Sequence, residues 1–276
     1  MNALEFEDVT FAYPGAMPAL VNVAFVVKRG TWVAVAGRNG SGKSTMARLT
    51  NGLLLPSSGR VIVGGSLCTT QPDEGHAVRK KLGLLFQNPD HHFVATTLEE
   101  DIAFGLENDA MPQHAMQRKI EKALSDVGLS EARRRDPRHL SGGQKQRAAL
   151  AGLIAREPDI YVMDESFSMI DPVGRQDLLN VVRQLLTPEK TLLTVTHSLE
   201  EMLQADRLLW LEEGRLTMDG NPADVILSIL QQSPASEWPS FVYEVSKQLV
   251  EEEWLKSPLV KEEELVEHIW RLYSNR

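Results

Sequence analysis

Eight consecutive residues, Gly37-Arg38-Asn39-Gly40-Ser41-Gly42-Lys43-Ser44, fit the spacing G-x-x-x-x-G-K-[ST] at every fixed position. Residue types of this kind at this spacing can surround an anion. The glycines let the backbone bend tightly with N–H groups pointing inward. A helix start just beyond adds its partial positive charge. Lys43 can reach terminal phosphates, and the Ser44 hydroxyl can ligate Mg²⁺. The mechanism demands a strand before the loop and a helix after it. The apolar, β-branched stretch 31–36 and the helical start at 45–49 supply both. The bland alternative is a glycine-rich turn that binds nothing.

A second anion seat lies about a hundred residues later. Leu140-Ser141-Gly142-Gly143-Gln144 precedes a helical stretch at 145–156. A serine and two glycines at a helix start offer free N–H groups and a hydroxyl. One loop already holds the phosphates from one side, so the second seat suggests closure from a second subunit. Between and beyond these motifs stand further candidates. Residues 160–163 read as a buried strand that ends in Asp164-Glu165. Asp164 is placed to hold Mg²⁺ through water, and Glu165 to orient or deprotonate an attacking water. A strand at 81–86 delivers Gln87, which could ligate the metal and sense the γ-phosphate. A strand at 191–196 ends in His197, a candidate donor to the γ-phosphate or a hydrogen-bonded strand-end histidine. Tyr13, just upstream of the loop, either stacks a purine or packs on its own sheet. Asp171 lies in a turn. The pair His91-His92 lacks a matching carboxylate or cysteine set, and a solvated loop is expected there.

The remaining elements frame these groups. Alternation at 4–11 and apolar residues at 21–27 predict two strands on either side of the turn Tyr13-Pro14-Gly15. A strand is expected at 60–63. The spacing of Leu98, Ile102, Ala103 and Leu106 predicts a helix opened by Thr97, and another helix follows at 113–127. Together these suggest a mainly helical insert in an α/β body. Stretches 207–211 and 215–218 flank Glu212-Glu213-Gly214 as a hairpin. A linker at 234–239 and helices at 240–255 and 262–273 close the chain. This tail carries Trp238, Trp254 and Trp270, which predict either an intersubunit surface or ordinary packing.

Composition narrows the class. A chain of 276 residues with 42% hydrophobic content suits one large domain with an appendage. The formal charge of -9 argues against a broad nucleic-acid face, which is usually basic. A single cysteine, Cys68, excludes an internal disulfide and suits a reducing compartment. The acidic N-terminus predicts no signal peptide, and no apolar run approaches the length of a bilayer span.

In this order, over residues 4–220, the motifs resemble the nucleotide-binding cassette of ATP-binding cassette (ABC) transporters. The resemblance implies an α/β P-loop NTPase fold: a RecA-like core, an antiparallel β subdomain and a helical subdomain at about 88–157. Residues 1–221 would form this nucleotide-binding domain, and 222–276 a small α-helical C-terminal extension in intersubunit contact. It also implies ATP and Mg²⁺. The ATP-binding set would be Tyr13, Gly37, Asn39, Gly40, Ser41, Gly42, Lys43, Ser44 and Thr45. Ser44, Gln87 and Asp164 would face the metal, and Glu165, His197 and Gln87 would serve catalysis. Ser141, Gly142, Gly143 and Gln144 would act in trans as the signature, and Asp171 would be the D-loop aspartate. One departure is Ser166-Phe167, where many such proteins carry a small or proline residue and then threonine.

A finer resemblance rests on Phe86-Gln87-Asn88-Pro89-Asp90-His91-His92-Phe93 and on 97–108. It is similar to the ATPase subunits of energy-coupling factor (ECF) transporters, and closer to the first of their paired ATPases. That resemblance implies a peripheral protein on the cytoplasmic face of the membrane that powers vitamin or micronutrient uptake. Its partners would be a second paralogous ATPase (or a second copy), a transmembrane scaffold and a substrate-binding membrane subunit, with no nucleic acid. The alternatives are a conventional ABC importer, a cobalt or nickel uptake system, and a non-transport ABC ATPase.

Overall fold

A computed structural model of the chain describes residues 1–232 and 241–274. Strands β1 (Asn2–Ala12) and β2 (Pro18–Lys28) pair antiparallel across the turn at Pro14-Gly15. Strand β3 (Trp32–Gly37) feeds helix α1 (Lys43–Thr50) through the phosphate loop. Strands β4 (Ser58–Val63) and β5 (Leu67–Cys68) return to the first sheet, and α2 (Gly75–Lys81) leads directly into β6 (Leu82–Leu85). A helical stretch follows: α3 (Leu98–Asn108), α4 (Gln113–Asp126) and α5 (Gly142–Arg156). Then β7 (Ile160–Asp164), α6 (Pro172–Leu185), β8 (Thr191–Val195), α7 (Leu199–Gln204) and β9 (Arg207–Glu212) alternate. Strand β10 (Arg215–Gly220) closes a hairpin, and α8 (Pro222–Gln232), α9 (Phe241–Glu251) and α10 (Glu262–Ser274) finish the chain.

Two sheets result. One is antiparallel with order β2-β1-β4-β5; the other has order β10-β9-β3-β8-β7-β6. All pairings in the second are parallel except β9 with β10. The β9–β10 turn uses Glu213 and Gly214 at φ 46° and 77°, the two positive values that a tight hairpin of matching twist needs. Strand β3 lies inside the sheet, between β8 and β9, and is buried along its whole length. Its side chains alternate between two cores. Val33 and Val35 join Met46, Leu49 and the antiparallel sheet on one face. Trp32, Ala34 and Ala36 join the helices on the other. Trp32 is further fixed: its amide donates to Asp206 Oδ2 at 2.8 Å and its indole N–H to Thr194 Oγ1 at 2.9 Å. The phosphate loop therefore leaves a strand that is held from both faces and both edges.

Helix α3 begins as its sequence dictates. Thr97 Oγ1 accepts from the Glu100 amide at 3.2 Å, and Glu99, Glu100 and Asp101 complement the first turn. The helices of the tail are only partly enclosed. Tyr243 and Val260 join the main core, whereas Val266 and Trp270 of α10 face outward, Trp270 at 72% exposure. The linker expected at 234–239 and Trp238 lie outside the described residues. Among the described residues no helix is long and apolar enough to cross a membrane.

Several boundaries differ from the pattern. The strand expected at 81–86 spans only Leu82–Leu85, because Lys81 closes α2, a helix of low apolar content that periodicity does not reveal. Helix α7 is too short to show a period, and α6 goes unanticipated although Leu178, Leu179 and Val182 recur at helical spacing on its buried face. His92 is not solvated. The Phe86 amide donates to its Nε2 at 2.9 Å, and its ring packs on Phe86 with centroids 5.2 Å apart. His91, next to it, is exposed.

Leu150 of α5 has no solvent exposure in the helical core. Leu150→Ala should cost about 2–5 kcal/mol, read as a lowered denaturant midpoint at constant slope. A loss under half a kilocalorie would show this core to be loosely packed.

Candidate functional site

The phosphate loop is built by conformations that side chains resist. Gly42 has φ 101°, and a Cβ there would sit 2.5 Å from the Ala19 carbonyl oxygen. Gly37 has φ 149°, and its Cβ would meet the Leu211 carbonyl oxygen at 2.1 Å. With both positions open, the loop curls until Lys43 Nζ donates to its own carbonyls, Gly37 O at 2.8 Å and Arg38 O at 3.1 Å. Lys43 is buried. Ser41 Oγ is also buried and has no hydrogen-bond partner among the described residues. A cradle that no side chain can fill, lined by a cation and an unsatisfied hydroxyl, fits a phosphate ester.

Beside the loop opens a cleft of about 700 Å³. Its walls bring together Tyr13, Asn39, Gly40, Ser41, Gly42, Lys43, Ser44, Thr45, Gln87, Glu165 and His197. These come from five separate chain segments. Tyr13 stands edge-on to Phe11, with centroids 4.9 Å apart, and its hydroxyl lies 3.2 Å from Thr45 Oγ1. Both readings of this tyrosine thus have a footing: it packs on its own sheet and also borders the cleft. Ser44 Oγ donates to Asp164 Oδ1 at 3.0 Å. Asp164 ends β7 almost fully buried. Burial raises its carboxyl above the usual range, Glu165 adds to that, and the Ser44 hydrogen bond, Arg48 and Lys43 oppose it.

Glu165 occupies a strained position. Its φ is 47°, and its amide donates to Val195 O at 2.9 Å, which pins the turn to the end of β8. Its carboxylate accepts from Gln87 Nε2 at 2.7 Å and lies 3.7 Å from His197 Nδ1. A carboxylate, an amide and an imidazole thus meet at one edge of the cleft. Such a set can hold and deprotonate a water beside a phosphoryl group.

For a metal, the donor set is a hydroxyl, a carboxylate and an amide oxygen. No group of three or more His, Cys, Asp or Glu side chains suited to a metal ion exists among the described residues. Hard oxygen donors in small number fit Mg²⁺, which commonly takes one or two protein ligands and completes its shell with water and substrate phosphates.

The structure does not bring the second seat into this cleft. Ser141 caps α5, its Oγ accepting from the Gln144 amide at 3.3 Å while Gln144 Oε1 accepts from the Ser141 amide at 3.1 Å. Gly142 and Gly143 pack closely against Met169, where a Cβ would lie 3.1 and 3.3 Å from its nearest atoms. Ser141 and Gly142 are exposed. Asp171 caps α6 through the Gly174 amide at 3.0 Å, and that bond holds its carboxyl below the usual range. Phe167, the departure in this loop, is buried in the helical core.

Motif reading misses the groups that tie these parts together. Gln146, buried one turn into α5, donates to Ser168 Oγ at 3.4 Å and accepts from the Met169 amide at 3.1 Å. Lys145 bridges to Asp90 at 2.6 Å. Arg175 and Glu201 stand behind Glu165. Only a polar residue recurring among apolar helix positions could have signalled Gln146.

Comparison with known proteins points one way. The family model described as ABC transporter matches residues 20–168. The energy-coupling factor transporter ATP-binding protein EcfA1 of Halalkalibacterium halodurans is 43% identical over 99% of this chain and 98% of its own length. The EcfA1 protein of Bacillus licheniformis is 42% identical over 97% and 96%. Among solved structures, cbiO1 from Clostridium perfringens, described as part of the ABC transporter complex cbiONQ, aligns with TM-score 0.74 at 28% identity, over 86% of this chain and 96% of that one. The ATP-binding cassette MJ0796, in a post-hydrolysis dimer bound to ADP and Pi, aligns with TM-score 0.73 at 26% identity, over 79% and 98%.

Gly42→Ala should abolish nucleotide binding measured by calorimetry, since both its φ and its space exclude a Cβ; binding at wild-type affinity would refute the cradle. A second expectation concerns pH. Burial holds the His92 imidazole down at about 4, against an ordinary value of 6.5. The unfolded chain then binds more protons between those values, so the stability His92 contributes is intact above 6.5 and is lost as pH falls toward 4. Relative to His92→Gln, the wild type should lose unfolding free energy across that window. Parallel pH profiles for the two would contradict it.

Proposed function

The chain belongs to the ABC transporter family of ATP-binding proteins, and from that premise we infer that it is the ATP-binding and ATP-hydrolysing subunit of an energy-coupling factor transporter. One observation carries the hydrolytic part: the phosphate loop, the Asp164-Glu165 strand end, Gln87 and His197 meet around a single cleft. The near full-length likeness to proteins of that name supports the transporter type over a conventional importer, a metal-ion uptake system or a non-transport ABC ATPase.

In this reading the amides of residues 37–44 and Lys43 receive the phosphates of ATP, and Tyr13 stacks the base. Ser44, Gln87 and Asp164 would hold Mg²⁺, which would offset phosphate charge when bound. Glu165 orients and deprotonates the attacking water, and His197 steadies the transferring phosphoryl group. Positioning and electrostatics supply most of the rate. The Gln87–Glu165 hydrogen bond engages the base until the cleft closes.

Closure requires a partner. The seat at Ser141, Gly142, Gly143 and Gln144 lies outside its own cleft with Ser141 and Gly142 exposed, which supports a head-to-tail pair in which each seat caps the other subunit's γ-phosphate. The partner is a paralogous ATPase, with Asp171 at the shared surface. Residues 1–221 form the nucleotide-binding domain, with residues 88–157 its helical part. The extension at 222–276 contacts the partner, an assignment supported by the outward Val266 and Trp270. A membrane scaffold docks where α3 and α5 border a groove of about 470 Å³ that also reaches His92. A separate substrate-binding membrane subunit selects a vitamin or other micronutrient, and this chain sits peripherally on the cytoplasmic face.

Glu165→Gln should retain ATP affinity and slow turnover about 10²–10⁴-fold in the assembled complex. Wild-type turnover in that variant would remove Glu165 from the chemistry.

A further inference from the structure

The pair His91-His92 takes no part in lining the cleft, and its two members differ. His91 is exposed, whereas His92 is half-buried at the groove bordered by α3 and α5. Strand β6 is the edge of its sheet, and its ladder to β7 ends at Leu85, opposite Met163. The next amide, that of Phe86, donates instead to a side chain six residues ahead, His92 Nε2, at 2.9 Å. A ring nitrogen that accepts carries no proton, so the proton of the neutral imidazole sits on Nδ1. Burial keeps the ring in that neutral form at ordinary pH. The ring also packs on Phe86 at a tilt of 40°.

A short turn at Pro89–His91 brings the chain back to make this contact. Asn88 Oδ1 accepts from the Asp90 amide at 3.0 Å at its start, and the His92 amide donates to Pro89 O at 3.1 Å at its end. Residues 86–92 thus form a closed loop. The residue of that loop that reaches the chemistry is Gln87, which is exposed and donates to Glu165 Oε2 at 2.7 Å. Its neighbours in the chain are Phe86, held by His92, and Asn88, which caps the turn. Glu165 is held separately, through its amide to Val195 O at the end of β8. The contact between glutamine and glutamate is therefore set from two sides: β8 fixes one partner, and the 86–92 loop fixes the other.

We propose that His92 is a positioning residue for ATP hydrolysis: by accepting the Phe86 amide it closes the 86–92 loop and holds Gln87 within reach of Glu165. This rests on the role given to Gln87 above.

The test uses the full chain in its assembled transporter, with steady-state ATP turnover counted per assembled complex. His92→Leu, of similar volume but without an acceptor, should lower kcat about tenfold with KM for ATP within about twofold, because the phosphate loop is untouched. His92→Gln, whose Oε1 can take the place of Nε2, should keep kcat within about threefold of wild type. In a Gln87→Ala background, His92→Leu should lower kcat by no more than about twofold further, because the two act as one unit. Without nucleotide, hydrogen exchange at the Phe86 amide, resolved by mass spectrometry, should speed up about tenfold in His92→Leu and stay as in wild type in His92→Gln. Wild-type kcat or wild-type Phe86 exchange in His92→Leu, equal losses in both backgrounds, or a His92→Gln no better than His92→Leu would each overturn the assignment. If the leucine variant does not fold, His92→Asn, polar but too short to reach the Phe86 amide, takes its place: a kcat near wild type overturns the proposal. Wild-type turnover in Gln87→Ala would instead sink the role of Gln87 itself, and that of His92 with it.

Discussion

A buried ammonium governs this molecule. Lys43 lies out of water at the start of α1, and a charge in that position is tolerated only when its donors are satisfied. The carbonyls of Gly37 and Arg38 satisfy two of them, so the loop must curl back over its own lysine. That curl needs the two crowded glycines, a rigid strand before them and a helix that starts without delay. β3 meets the second demand, between two parallel neighbours and two apolar cores. The Trp32 hydrogen bonds to Asp206 and Thr194 lock its far end. Much of the surrounding fold follows from holding one loop in a conformation that an ordinary chain would leave.

The second constraint is that the cleft is one-sided. The seat that begins α5 does not line the cleft of the phosphate loop, yet it is joined to segments that border it. Lys145 reaches Asp90 in the segment after Gln87, and Gln146 holds Ser168 and Met169 in the segment after Glu165. Adjacent residues of one helix thus clasp two loops that both start at the Gln87–Glu165 contact. The 87–93 segment, the seat and the segment after Glu165 are thus physically connected through one helix start, and in the function proposed above that connection would couple a membrane partner to hydrolysis.

The site was legible in the sequence to the extent that its chemistry is local. Phosphate loops and capped helix starts are written in consecutive residues, so Gly37 to Thr45 and Ser141 to Gln144 could be read directly. Asp164, Glu165, Gln87 and His197 were found because each ends a β-rich apolar run, and parallel strands deliver their C-terminal ends to one edge. Long-range polar contacts leave no such trace. Nothing in the spacing of Gln146 announces its partners Ser168 and Met169, more than 20 residues away. His92 was misread for the same reason: the acceptor role that buries it depends on the loop folding back on Phe86. Helices α2 and α7 escaped because seven and six residues are too short to show a period.

The central claim is that this chain is half of a nucleotide-driven pair on a membrane scaffold. The most direct measurement is affinity purification of the full chain from detergent-solubilised membranes of its own cell, with partners identified and quantified by mass spectrometry. The account predicts a second, related ATPase in equal amount, one shared membrane scaffold and several small membrane proteins. A dedicated permease pair with no second ATPase, or ribosomal or DNA-bound material with no membrane protein, would contradict it.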